Sequence, residues 1–115
     1  MKRPTLIDLG TAACGTTFPG GALRIRKQLP DNSLVSEPLD HLEFKAFWRR
    51  TSDSGTLVKE EVLQLATPDT VVLPPFQLFN VADNYFLTVF STSEGGDNFE
   101  IYRGKISLSA SPALP

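Results

Sequence analysis

The chain has 115 residues, a net charge of −2 and 41% hydrophobic residues. That is enough for one domain with a single core, too apolar for a disordered chain, and too weakly charged to argue for nucleic acid or a membrane surface. Nine Pro and eight Gly favour many turns and short strands. One cysteine, Cys14, rules out an intrachain disulfide, and no segment reaches the ~20 apolar residues of a membrane span. Charge is uneven along the chain. Residues 1–50 hold eight Lys/Arg against five Asp/Glu, and residues 51–115 hold three against eight. Such polarity suits head-to-tail docking of copies, although scattered solvated charge produces it as well.

Residues 1–21 show neither helical nor strand period and read as an extended N-terminal arm, with LIDL (6–9) able to form a brief strand. The opening MKRPTLIDLGTAACG superficially resembles a lipoprotein leader, but Pro4 and Asp8 interrupt the apolar run that such a leader needs. ALRIRKQL (22–29) alternates as a strand, PDNS (30–33) suits a type I turn, and Pro38 confines LVSEPL to an edge or irregular stretch. HLEFKAFWRR (41–50) carries the clearest alternation: Leu42, Phe44, Ala46 and Trp48 against His41, Glu43, Lys45, Phe47 and Arg49. SDSG (52–55) reverses the chain, with Gly55 free to take positive φ. TLVKEEVLQLA (56–66) fits both a helical and a strand period, and the β context favours strand.

TVVL (70–73) is a short strand ended by Pro74 and Pro75, and PFQLFNVADN (75–84) reads as one short helical turn capping the core. NYFLTVFST (84–92) is apolar on both faces and therefore central. SEGGDN (93–98) makes a hairpin loop into FEIYRGKISLS (99–109), where Gly104 marks a bulge or a close backbone approach. The expected fold is all-β, an antiparallel sandwich of about six or seven strands over residues 22–109, with a tail at 110–115.

Catalytic chemistry is poorly supplied. Cys14 and His41 are each the single residue of their type, so neither a zinc ligand set nor a base-activated nucleophile is evident from neighbouring sequence. Glu60 and Glu61 are adjacent and on a strand point to opposite faces, which precludes a proton-sharing dyad. Gly20–Gly21 and Gly95–Gly96 lie in turns rather than before helices, unlike phosphate-cradling loops. Arg24, Arg26, Lys45, Arg49, Phe47 and Tyr102 could line a basic aromatic face for single-stranded nucleic acid, but solvated strand faces give the same pattern, and nucleic acid is not expected. No catalytic, cofactor or metal site is expected. Phe47 stands out on a charged face, and a surface made for a partner is the reading for Leu6, Ile7, Leu9, Phe18, Phe47, Arg49 and Tyr102.

In the order of its elements the chain resembles the small immunoglobulin-like modules of tailed-phage tails and baseplates, such as those heading upper baseplate proteins. The resemblance runs through Leu29-Pro30-Asp31-Asn32-Ser33, the segment Leu34 to Asp40, the strand and turn Phe44 to Gly55, Pro75 to Ala82, Asn84 to Val89, and Ile101 to Ile106 with Gly104 at the family's glycine. It covers about residues 18–109. Leu39-Asp40-His41-Leu42 departs from the family's "D-L-T-G" element. The resemblance implies an immunoglobulin-like sandwich and a non-enzymatic virion component, assembled in the host cytoplasm as a symmetric multi-copy array with other tail, fibre or capsid proteins, without cofactor or membrane. A capsid decoration protein and a carbohydrate-binding module stacking sugars on Trp48, Tyr85 or Tyr102 are the alternatives. The arm is expected to order only against a neighbour.

Overall fold

The computed structural model describes residues 4–36, 39 and 42–110. The strands are β1 (Leu6–Ala13), β2 (Thr17–Phe18), β3 (Gly21–Arg24), β4 (Arg26–Gln28), β5 (Leu34–Ser36), β6 (Glu43–Arg50), β7 (Thr56–Thr67), β8 (Thr70–Leu73), β9 (Phe76–Gln77), β10 (Asp83–Thr92) and β11 (Asn98–Ser109). Their main order is β1-β11-β10-β6-β7-β8-β3, with β2-β9 and β4-β5 as two-stranded ribbons. The bend lies in β7. Its first part, 56–63, pairs with β6, and its last part, 64–67, pairs with β8. One layer is therefore β1-β11-β10-β6-β7, and the other holds β8 and β3 with the end of β7.

The alternation seen in the sequence is what closes this sandwich. Phe44, Ala46 and Trp48 of β6 and Tyr85, Leu87 and Val89 of β10 all turn inward and are at most 2% exposed. They meet Val71 and Leu73 of β8 together with Leu63, Ile106 and Leu108. Ala46 sits between the two largest inward side chains of β6, where a small residue makes room for both. Each fully buried large side chain contributes about 2–3 kcal/mol by its apolar area. β10 is central, flanked by β6 and β11, as its two apolar faces require.

Three details identify the architecture. β1 runs parallel to β11, while β10 is antiparallel to both β6 and β11. Trp48 is buried on the strand that opens the β6–β7 hairpin. Tyr85, at the start of β10, donates its hydroxyl hydrogen to the Val81 carbonyl at 2.6 Å, the tyrosine corner of immunoglobulin domains. The chain is an immunoglobulin-like β-sandwich. Leu87, two residues beyond that tyrosine, stands where antibody domains place the second cysteine of their inter-sheet disulfide. It lines the same half-open cavity between the layers as Leu23 of β3.

Two expectations are corrected. Residues 1–21 are not a free arm over their described part. Leu6–Ala13 form a strand of the main sheet, with Leu6 opposite Arg103 and Ala13 opposite Ser109, and Thr17–Phe18 pair with β9. The sandwich thus begins at β1 rather than at residue 22. Among the described residues there is also no helical turn at 75–84. Pro74 and Pro75 end β8, Phe76–Gln77 pair with β2, and Leu78 is buried. Phe79 then stacks on Tyr85 at 4.5 Å, so the apolar residues of this stretch are spent on an extended path along the core.

The turns follow their residue chemistry, with one exception. Asn32 takes φ +70 in the 30–33 turn, and Ser93 donates its backbone N–H to the Asp97 carbonyl at 2.9 Å to close the 93–97 loop. In the 51–55 turn it is Thr51, not Gly55, that takes positive φ, at +78. That strained conformation is held by the Thr51 N–H on the Asn84 carbonyl at 2.8 Å and by its hydroxyl on Asp83 at 2.9 Å. Gly55 is needed for another reason: a Cβ there would lie 2.1 Å from the Arg50 carbonyl oxygen.

Candidate functional site

Pairing of β6 with β10 sets Thr88 opposite Phe47 and Phe90 opposite Lys45, so the outward residues of both strands share one face. Phe47 and Phe90 meet there edge to face, with centroids 5.7 Å apart. Lys45, Arg49, Thr92 and Asn98 complete a shallow concavity of about 300 Å³ around them. Arg49 is fixed from below by its guanidinium donating to the Gly55 carbonyl at 3.0 Å. Beside it lies a charged cluster. Arg103 donates to Asp53 at 2.7 Å and reaches the Pro4 carbonyl at 3.3 Å. Its Nε stands 3.5 Å from Glu100 without hydrogen-bond geometry. An aromatic pair between cations, backed by a paired sheet, can desolvate an apolar side chain and hold an acidic one.

The residues expected to meet a partner separate into three groups. Phe47 and Arg49 are on this platform. Leu6 and Ile7 are 38% and 45% exposed on β1, at the far edge of the same layer. Leu9, Phe18 and Tyr102 instead face the interior. Leu9 packs over Gly104, where an added Cβ would come within 2.9 Å of its Cδ1. That contact is the close approach expected at Gly104; the bulge lies earlier, between Tyr102 and Glu100. Phe18 meets Trp48 at 5.4 Å and Phe76 at 5.5 Å. Tyr102 lies on the inward side with Gly104 and Ile106, and burial raises its phenol pKa. Of the six-residue basic aromatic face, only Lys45, Phe47 and Arg49 come together, since Arg24 lies on β3 of the other layer, Arg26 on the separate β4–β5 ribbon, and Tyr102 faces inward.

Phe90, Asn98, Asp53, Glu100 and Arg103 were not singled out from sequence. Phe90 was visible as an apolar residue on the outer side of a central strand, but its neighbour Phe47 is fixed only by long-range register. Glu100 joins the outer face because the bulge at Ile101 shifts the phase of β11 by one residue. Cys14 is half-buried and packs against the core; His41 lies outside the described residues. Among the described residues no three His, Cys, Asp or Glu side chains are grouped to hold a metal ion, and no helix is long and apolar enough to cross a membrane. Two other perturbed groups are structural. Burial raises Tyr85, and the Asn84 backbone N–H, then the Thr51 hydroxyl and Arg50, hold Asp83 below the usual carboxylate range.

No family model and no curated protein matches the chain. Solved structures similar to it include the extracellular domains 3–5 of Drosophila OTK, at 15% identity and a TM-score of 0.38 over 95% of this chain and 34% of that one. Murine CRIg is similar at 13% identity and a TM-score of 0.38, over 96% of each chain. The chain therefore spans about a third of the OTK structure.

Proposed function

We propose that this chain is a non-enzymatic structural module of a tailed-phage particle, joining tail, baseplate or fibre parts through the outer face of its central sheet. The supporting observation is the Phe47–Phe90 pair held between Lys45 and Arg49 on a rigid strand pair. Aromatic and arginine side chains with a polar surround are the composition of interface centres. The assignment to a phage particle is carried by the resemblance in element order. The sugar-binding alternative loses its stacking platform, because Trp48 and Tyr85 are buried and Tyr102 faces inward.

Quantitative mass spectrometry of purified particles tests the reading: tens of copies support the tail assignment, hundreds favour capsid decoration, and absence overturns both. Phe47→Glu should fold normally yet be lost from particles. Incorporation at the unchanged copy number would remove this face from the proposal.

A further inference from the structure

Among the described residues the sandwich leaves two regular strand edges unpaired. β3 pairs only with β8, through Gly21–Leu73 to Arg24–Thr70, and residues 56–63 of β7 pair only with β6. β1 has a free edge as well, but a register shift between Asp8 and Thr11, with Gly10 at φ +91, breaks its ladder. Natural edges are usually guarded by bulges, by proline or by charged side chains that have no counter-charge on their own strand. On β7 the bulge is at Val58, next to the register shift, which leaves 59–63 regular. Lys59 does not stand guard either: its ammonium lies over the Phe76 ring at 4.6 Å.

We propose that copies of this chain add to one another head to tail, the β3 edge of one pairing antiparallel with residues 59–63 of β7 in the next. The outward residues of β3 are Ala22 and Arg24, and those of the β7 edge are Glu60 and Val62. With Arg24 set opposite Glu60, Ala22 falls opposite Val62. Charge then meets charge, and the small residue receives the apolar one. Both faces match, because antiparallel partners point to the same side of a sheet. Arg24 is anchored by Asp69 at 3.0 Å with 57% of its side chain still exposed, Glu60 is exposed, and Val62 is 52% exposed. Inward-facing Glu61 keeps its own counter-charge, Lys59, at 3.9 Å. The incoming strand also roofs the open side of the sandwich next to β3. There a cavity of about 420 Å³ is lined by Leu9, Phe18, Leu23, Leu73, Leu87 and Ile106. The pairing runs with the split of charge along the chain, setting a base from residues 1–50 against an acid from 51–115. Because the two edges differ, the contact is heterologous and repeats rather than closing as a two-fold dimer.

The ladder is short, well below the ~1,000 Å² of a stable interface, so association belongs at high concentration or in an array. Sedimentation of the full chain over a concentration series should show mass growing past two copies. Glu60→Lys and Ala22→Lys should each weaken it by about tenfold or more. Mixing Glu60→Lys with Arg24→Glu should restore association, since the reversed charges then meet. Ala22→Lys leaves the Arg24–Asp69 contact intact, and circular dichroism of each variant confirms its fold. A chain that stays monomeric throughout, growth that stops at a dimer, or association indifferent to Glu60→Lys and Ala22→Lys overturns the proposal.

Discussion

Along β10, Tyr85, Leu87 and Val89 are at most 1% exposed, whereas their alternating neighbours Phe86 and Phe90 are only half-buried on the other side. The inward set meets apolar atoms from both layers; the outward set meets Phe47, Arg49, Arg103 and water. The same strand backbone thus carries two energetic regimes. Inside, burial of apolar area stabilises the fold. Outside, the half-buried rings of Phe86 and Phe90 contribute less by burial, and their exposed parts remain available to a partner.

The sharpest test of that division compares Trp48→Ala with Phe47→Ala, adjacent residues on opposite faces. Trp48→Ala should cost about 3–5 kcal/mol by cavity formation, and Phe47→Ala about 1 kcal/mol, both read from chemical denaturation midpoints. Equal costs would abolish the distinction. Gly104→Ala should cost about 1–3 kcal/mol by overpacking, because its Cβ would press on the inward side chains of Leu9 and Tyr102. Its effect should shrink in a Leu9→Ala background. Removal of the Tyr85 hydroxyl in Tyr85→Phe should cost about 1 kcal/mol and leave the Val81 carbonyl without its partner.

The pH responses of the two regimes are smaller and opposite in sign. The chain has two tyrosines, and burial raises both phenols. Their contribution is complete below the ordinary phenol value of about 10 and is lost as pH rises through the raised folded value. Ultraviolet titration should therefore show tyrosinate appearing late and together with unfolding. Asp83 is lowered, so its contribution is present above the ordinary carboxylate range and is lost as pH falls through the depressed folded value. Asp83→Asn should reduce the acid dependence of the melting temperature slightly, by calorimetry.

Much of the fold was legible in the residues. Period-two alternation placed β6 with its inward residues and marked β10 and β11 as strands, and turn chemistry placed the 30–33 and 93–97 reversals; Tyr102 of β11, read as a partner contact, turns inward instead. β1 was legible only as the brief strand that LIDL (6–9) could form, because its partner is β11, almost the whole chain away, and a parallel pairing leaves no hairpin signal between them. Phe76 and Phe79 misled because their spacing also fits one side of a helical turn; Phe18 and Trp48 decide the matter by receiving Phe76. At the candidate site, Phe47 and Arg49 stood out as an aromatic on a charged face and its neighbour. Phe90 and Glu100 depended on register and on a bulge, neither of which local sequence encodes.

Leu87 occupies the position where antibody domains place the second cysteine of their inter-sheet disulfide, and Leu23 of the other layer packs against the same core. Dispersion and desolvation therefore do between the layers what a sulfur–sulfur bond does elsewhere. The melting temperature should not move on adding dithiothreitol, and the domain should hold its shape whichever side of a reducing boundary it is made on.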